Sequence, residues 1–376
     1  MRKIRLSSFG SLVTALTLVE LGLCSAAGAG PRKPGVAEIN AAPKVNPGEK
    51  VATALLELGQ QRFAANDNAA ALEAFTKAQG ASPKDPRAFY MRAAVYQKLG
   101  KNAEAEADLR AALRLDPKLY DVRAELGALL TDSGRAAEAE ELLSAVVAER
   151  AEHFEAWYNL GVARDALARW PQAVEAYRRA ARLKPQDADV RVNLATALRR
   201  SGKIDEALAV AREAVTLAPD DAQAHLNLGL LLAEHKQLDD AVGELTAATR
   251  LQPNMHKAWW RLGVVQLRRN QPAAAITALQ QAQKIRPSAE VLTDLGVAQR
   301  KQNAIADAEG SFRAALKVDA RYQPARVHLL YTLAATGRCK EVRPELGQIP
   351  NTPEFQESIN RIRATCQWSD AKGAQK

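Results

Sequence analysis

Residue patterns that often accompany catalysis are missing from this sequence of 376 residues. It has no glycine-rich phosphate-binding loop, no G-x-S-x-G nucleophile motif and no H-E-x-x-H zinc motif. Its five histidines lack the spacing of metal ligands. These absences argue against nucleotide-dependent, α/β-hydrolase and zinc-protease chemistry. We therefore expect a protein that is not an enzyme and that needs no cofactor.

Aromatic residues are also scarce, at 5% of the chain, and no stretch alternates apolar and polar side chains over any length. The lack of a two-residue period argues against β-strands. Apolar residues instead recur at helical spacing in paired runs, and small alanine side chains are abundant. The composition therefore predicts an all-α fold of closely packed helical hairpins.

The sequence matches itself every 34 residues. Repeat positions are numbered here from 1, beginning at Ala52. A period of this length marks a stack of small units, none of which can bury its apolar face alone. The last full repeat begins one residue early, and a degenerate ninth repeat follows it. The repeats start at Ala52, Pro86, Tyr120, Phe154, Ala188, Ala222, His256, Ala289 and Gln323.

Most repeats carry the same residue types at fixed positions: glycine or alanine at 8, alanine at 20 and 27, an apolar residue at 24 and usually proline at 32. This pattern resembles the tetratricopeptide repeat (TPR) family over residues 52–350. The resemblance implies an α-solenoid, a right-handed superhelix of helical hairpins whose first helices line a concave groove. Gly100, Gly134 and Gly202 are expected to end first helices in the left-handed conformation. Repeat 3 has Ala151 in place of the proline, so its second helix is expected to run on or bend.

The N-terminus has the layout of a secretory signal peptide. Basic residues precede a largely apolar stretch at 6–23, and small residues follow at 25–29. We predict a signal peptide over residues 1–27 and a location in the bacterial periplasm or cell envelope. An uncleaved membrane anchor and the absence of export are the alternatives. Cys24 also stands where a bacterial lipobox places its lipidated cysteine, although Leu23 departs from that pattern.

Residues 28–51 are rich in proline, glycine and alanine, which predicts a flexible tether. A capping helix is expected over residues 351–368 and a disordered tail over 369–376. Cys339 opens the short second helix of repeat 9, and Cys366 lies near the end of the capping helix. If the two helices run antiparallel, the two sulfurs are neighbours. We predict a disulfide between them; two buried free thiols are the alternative.

Three successive repeats carry asparagine at position 6: Asn159, Asn193 and Asn227. They resemble the asparagine ladder in the TPR part of O-GlcNAc transferase, where amide side chains hold the backbone of an extended peptide. An amide suits that role because it offers a donor and an acceptor together. The alternative is that asparagine at this position is a common structural residue of such repeats. No glycosyltransferase domain follows, so that activity does not carry over.

The groove positions become basic toward the C-terminus. Residues 254–376 contain 19 lysines and arginines against 10 acidic residues, whereas residues 52–253 contain 26 against 30. Arginine suits carboxylate and phosphate recognition because its planar fork binds two oxygens at once, so an acidic peptide or an anionic envelope polymer would fit this surface. The alternative is ordinary solvated helix faces. The candidate groove residues besides the asparagines are Arg199, Arg200, Lys257, Arg261, Arg268, Arg300 and Lys301.

Together these features predict a non-catalytic scaffold that holds a protein or an extended, acidic peptide in its groove. Nucleic acid is not an expected partner, and a membrane is expected only through the N-terminal anchor or a lipid on Cys24. Two alternatives remain: a lipid-anchored, pilotin-like factor that helps to assemble an envelope machine, and a regulatory subunit that recruits substrate to an envelope enzyme.

Overall fold

The computed structural model describes residues 47–368. Within that range it contains nineteen α-helices and no strand. The all-α prediction is therefore confirmed. The predicted signal peptide, Cys24, most of the tether and the C-terminal tail lie outside the described residues. No helix in this range is both long enough and apolar enough to cross a membrane.

The helices form two compact units that divide between Ser201 and Gly202. The first unit contains α1 Pro47–Ala64, α2 Asn68–Ala81, α3 Pro86–Lys98, α4 Asn102–Leu115, α5 Tyr120–Asp132, α6 Ala136–Glu149, α7 Phe154–Ala166, α8 Trp170–Leu183 and α9 Ala188–Arg200. The second unit contains α10 Ile204–Leu217, α11 Ala222–Glu234, α12 Leu238–Leu251, α13 His256–Arg268, α14 Pro272–Ile285, α15 Ala289–Lys301, α16 Ile305–Val318, α17 Gln323–Ala335, α18 Cys339–Leu346 and α19 Pro353–Thr365.

Local chemistry sets the start of several helices. Several first helices start at an aspartate whose carboxylate accepts a backbone N–H of the first turn, as Asp187 does from the N–H of Val190 at 3.0 Å. Repeat 3 departs from expectation, because α6 ends at Glu149 like its counterparts although Ala151 replaces the proline. The first helix also differs: it begins at Pro47, so residues 47–51, assigned above to the tether, are helical.

The turn inside every hairpin requires a left-handed residue. Position 15 has a positive φ in all nine repeats. The expected glycines Gly100, Gly134 and Gly202 are confirmed with φ between 71° and 79°. The same position is filled in the other repeats by Asn66, Ala168, Lys236, Asn270, Asn303 and Gly337. Alanine and lysine pay a steric cost there that glycine does not.

The small residue at position 8 lets the two helices of a hairpin touch. A Cβ atom built on Gly161 would lie 2.6 Å from the ring of Tyr177, and one on Gly296 would lie 2.5 Å from the ring of Phe312. Both rings are fully buried. The glycine at 8 and the large residue at 24 therefore form one packing unit that recurs in both units of the fold.

The C-terminal end is closed by a disulfide. Cys339 opens α18 and Cys366 follows α19, and the structure joins them, with their Cα atoms 5.7 Å apart. α18 is only eight residues long and contains Pro344. α19 packs on α17, with Ile359 and Ile362 buried. The prediction of a bridged capping helix is confirmed in this part of the chain.

Candidate binding face

In each unit, the first helices of successive repeats lie against one another. Positions 2, 5, 6, 9, 12 and 13 of these helices form the surface that we call the first-helix face. In the first unit these positions carry four lysines and arginines and seven acidic residues, whereas in the second unit they carry five and three. The first-helix face is therefore acidic in one unit and basic in the other.

A recurring polar contact joins position 5 of one repeat to position 6 of the next. The hydroxyl of Tyr90 donates to Glu125 at 2.8 Å, and the indole N–H of Trp260 donates to Asp294 at 2.7 Å. The partners are 35 and 34 residues apart, respectively, because the repeat that contains Trp260 is one residue short. We call each such contact a rung. Rungs hold neighbouring first helices together through groups that would otherwise be buried without partners.

The predicted asparagines take part in these contacts. Asn159 is 1% exposed, and its amide donates to the backbone carbonyl of Ala124 at 3.4 Å. The amide of Asn193 donates to the hydroxyl of Tyr158 at 2.8 Å. Two of the three candidate peptide-binding amides therefore form rungs, and a peptide would have to compete with those contacts. Their role in holding a peptide remains a prediction.

The third asparagine, in the second unit, and the two predicted arginines of the first unit sit in different surroundings. Asn227 accepts a hydrogen bond from the side-chain amide of Gln223 at 2.9 Å. Arg200 forms an ion pair with Asp165 at 3.0 Å, and the side chain of Asp165 is only 4% exposed. Arg199 is half-buried beside it. Arg200 thus neutralises a buried carboxylate of the preceding repeat.

The basic candidates of the second unit lie on α13 and α15. Lys257 and Arg268 are exposed, and Arg261 stacks on Trp260 with its guanidinium carbon 4.3 Å from the ring centroid. Lys301 approaches the side-chain oxygen of Asn270 at 3.4 Å. Arg300 lies over the ring of Tyr331, at 5.1 Å. The structure thus brings the predicted basic residues of this unit to the first-helix face.

Asp294 is an acidic group of the same surface, at position 6 of the repeat that begins with α15. Burial raises the pKa of its carboxyl, while the hydrogen bond from Trp260 and the charge of Arg261 act in the opposite direction. Asp294 is therefore engaged within the fold.

Sequence reasoning missed two side chains on α17. His328 and Tyr331 occupy positions 6 and 9 of the degenerate ninth repeat and lie beside Arg300. Burial and the charge of Arg300 lower the pKa of His328 to about 4. Their repeat positions could have identified them, because positions 6 and 9 are among those that line the concave groove in the family.

The structure also assembles a cluster in the first unit that the spacing of histidines did not reveal. Asp121, His153 and Glu155 place one ligand atom each within 4.8 Å of one another. His153 Nδ1 accepts the backbone N–H of Ala156 at 3.3 Å, and Lys184 pairs with Glu155 at 3.0 Å. These contacts account for the cluster as a helix cap with an ion pair.

Comparisons with known proteins agree with the repeat pattern. Family models described as "Tetratricopeptide repeat" match residues 49–220, 192–256 and 237–290. A curated protein of Mycosarcoma maydis, "Small glutamine-rich tetratricopeptide repeat-containing protein 2", is 36% identical over 77 residues. That match covers 20% of this chain and 22% of the other, so the chain spans about a fifth of the length of this relative.

Solved structures share the fold at low identity. A chain of the APC/C hetero-tetramer Cut9–Hcn1 has a TM-score of 0.52 at 15% identity, over 83% of this chain and 76% of that one. A tetratricopeptide repeat protein from Parabacteroides merdae scores 0.51 at 14% identity, over 66% and 99%. PilW, described as a type IV pilus biogenesis factor, scores 0.50 at 19% identity, over 55% and 95%.

Proposed function

Because this chain belongs to the tetratricopeptide repeat family, whose members generally bind protein partners without catalysis, we propose that it is a scaffold that holds an acidic segment of a partner protein. The observation that carries this proposal is the basic first-helix face of the second unit, where Lys257, Arg261, Arg268 and Arg300 gather. Cationic groups on one surface attract an anionic partner and speed its association.

We further propose that the protein works outside the cytoplasm, in the bacterial periplasm or cell envelope. Support comes from the signal-like N-terminal sequence and from the disulfide between Cys339 and Cys366, since disulfides persist in oxidising compartments. Mass spectrometry of the native protein should find a mature N-terminus between Ser25 and Gly30. An intact Met1 on protein purified from the cytoplasm would contradict export.

Partner binding is tested by crosslinking in the native envelope, followed by affinity measurements on the identified partner at two salt concentrations. Replacing Lys257, Arg261 and Arg268 with glutamine should slow association and flatten its salt dependence. The matched control replaces Arg313, an exposed arginine on the second helix α16, and should leave both unchanged. If the triple variant binds like the control, the partner docks elsewhere.

The same affinity measurement, made on asparagine variants, tests the predicted peptide ladder. Changing Asn227 to alanine should weaken binding a few-fold, because one net hydrogen bond is worth about 0.5–1.5 kcal/mol. The same change at Asn159 or Asn193 also removes a rung, so a thermal melt must accompany it. Weaker binding with an unchanged melt supports the peptide ladder, whereas a lowered melt with unchanged binding assigns these residues to the fold.

The second candidate function is a lipid-anchored factor that assists assembly of an envelope machine. It is favoured by the cysteine at position 24, which stands at the lipidation site of a lipobox-like sequence. PilW, which shares the fold, is described as a pilus biogenesis factor. A diacylglyceryl mass on Cys24 would support this function over a soluble scaffold. A third, regulatory role would be recognised by co-purification with a catalytic chain.

A further inference from the structure

The segments that join successive repeats become basic toward the C-terminal end of the second unit. Each segment is taken here from position 29 of one repeat to position 3 of the next. The last three segments contain six lysines and arginines against two acidic residues, whereas the five preceding segments contain seven against ten. We call the surface of the last three segments, residues 250–258, 284–291 and 317–325, the basic edge.

The three segments lie along one side of the second unit. α12 packs against α13, α14 against α15 and α16 against α17, so the three junctions are equivalent in the stack. At each junction a second helix ends and the next first helix begins. Equivalent residues therefore form a row along this side. The exposed residues at position 29 are Arg250, Lys284 and Lys317.

The row at position 29 is not neutralised within residues 47–368, where none of its three side chains forms an ion pair or a hydrogen bond. The two acidic residues of the basic edge are Glu290 and Asp319. The carboxylate of Asp319 accepts the backbone N–H of Arg321 at 2.8 Å, so it is engaged in its own turn. The charge of the row therefore faces the solvent.

Helix ends alone do not explain this row. The helix dipole favours a cation in the last turn of every helix, yet position 29 carries one in only two of the five preceding repeats, as Arg114 and Arg182. The basic edge also lacks acidic caps. α3, α9 and α11 begin after an aspartate that caps the helix, whereas α13, α15 and α17 begin after the uncharged residues Met255, Ser288 and Tyr322.

Exposed apolar side chains stand beside these cations. Ile285 follows Lys284 in the chain and is 38% exposed, and Val318 follows Lys317 and is 53% exposed. Leu115 occupies the same repeat position in the first unit, but there an aspartate follows it. Cations next to exposed apolar groups suit the boundary of a lipid bilayer, because headgroup phosphates attract the charge while the apolar groups leave the water.

We propose that the basic edge binds the surface of a membrane that contains anionic lipids. The inference goes beyond the scaffold function, because the edge shares only Lys257 with the candidate groove residues. The signal-like N-terminal sequence supports it, since an exported protein works beside the membranes of the envelope. Each lysine or arginine near an anionic surface adds to the attraction, which falls off within a Debye length. Binding therefore requires charged lipids and weakens with salt.

The test is flotation of the protein with lipid vesicles at low and high salt. The protein is used in its predicted exported form, without residues 1–27, so that the apolar N-terminal stretch cannot insert and every described residue is kept. Vesicles of phosphatidylglycerol and phosphatidylethanolamine should carry the protein at low salt and release it at high salt. Vesicles of phosphatidylcholine, which have no net charge, should not carry it.

Two triple variants locate the binding surface. Changing Arg250, Lys284 and Lys317 to glutamine should weaken vesicle binding by a factor of about ten or more. The matched control changes Arg114, Lys118 and Arg182, exposed cations of the turns in the first unit, and should bind as the unchanged protein does. A thermal melt of each variant confirms that it is folded.

The apolar contribution is measured separately. Replacing Ile285 and Val318 with serine should weaken binding a few-fold while the salt dependence stays the same, because the charge is unchanged. This variant also keeps the proposal testable if the charge variant melts early.

The proposal is overturned if the two triple variants bind vesicles equally, or if phosphatidylcholine vesicles carry the protein as well as the charged ones do. It is also overturned if soluble polyglutamate distinguishes the two variants and vesicles do not, because the edge would then serve an acidic protein. None of these outcomes bears on the scaffold function, since Lys257, Arg261 and Arg268 are unchanged in every variant.

Discussion

The two units differ in how the cations of their first helices are paired. In the first unit, Arg200 neutralises Asp165 and Tyr90 hydrogen-bonds to Glu125, so buried carboxylates are satisfied by the preceding or following repeat. In the second unit, Arg300 is half-buried without a counter-ion. The same repeat architecture therefore supports two uses of a polar groove position. One stabilises the stack, and the other leaves a half-buried cation without a counter-ion among the described residues.

The largest effect should come from the covalent clamp, which only the second unit has among the described residues. Reducing the bridge between Cys339 and Cys366, which are 27 residues apart, should cost about 3–4 kcal/mol in the chain-entropy model. Because repeats couple mainly to their neighbours, α17–α19 should lose protection first. Hydrogen exchange with and without reductant measures the loss of amide protection in each helix. An equal loss in α1–α9 would show that the bridge does not act on the second unit alone.

Glycine-to-alanine changes at position 8 should affect both units alike. Gly161→Ala and Gly296→Ala each force a Cβ into a buried ring and should destabilise by about 2 kcal/mol. Gly310→Ala, on the exposed side of α16 with nothing within 4 Å, should be neutral or stabilising. Urea unfolding compares the three. A large difference between the first two would mean that the units differ in their cores and not only on their faces.

The contrast between the arginines can be measured directly. Arg200→Gln leaves the carboxylate of Asp165 without its cation and should cost about 1–2 kcal/mol, between the values for exposed and for buried pairs. Arg300→Gln removes a charge that has no counter-ion, so the free energy of unfolding should stay level or rise slightly. Thermal melts of both variants test the ordering. A larger loss for Arg300→Gln would show that its cation supports the fold.

The smallest effect should come from the hairpin turns. Ala168 and Lys236 adopt positive φ values of 57° and 65°, where glycine carries no steric penalty. Replacing either with glycine should stabilise its own unit by about 0.5–1 kcal/mol. Glycine relieves the steric strain of the folded turn, and the greater conformational freedom that it gives the unfolded chain offsets only part of that gain. Gly100→Ala is the reverse control and should destabilise. Equal gains in both units would confirm that the turns do not contribute to the difference between them.

Much of this fold could be predicted from the sequence, because the period places equivalent residues on equivalent elements. Repeat positions alone predicted the glycine turns, the short α18 and the bridge between Cys339 and Cys366. The end of α6 was not predicted: Ala151 replaces the proline, yet the helix still ends at Glu149, with the backbone of Arg150 leaving the helical conformation. The proline is therefore not required to end this helix.

The partners of the groove residues were not predictable from local sequence. The rung from Asn159 to Ala124 spans 35 residues, as do the contacts of Asn193 with Tyr158 and of Arg200 with Asp165. A separation of one period plus one residue was available from the repeat grid and could have identified these pairs. The half-buried state of Arg300 could not have been predicted from the repeat grid, because it depends on how α17 of the irregular ninth repeat packs beside it.

The position of α19 also has a consequence for solubility. It packs against α17 as α17 packs against α15, so it occupies the place where the first helix of another repeat would stack. Terminal repeats of a solenoid require a cap with a polar outer face, because the stacking surface of a repeat is apolar. The bridged helix covers that surface at the C-terminal end of the second unit, with Ile359 and Ile362 on its buried side. We expect its removal to expose apolar area and to lower the solubility of the protein.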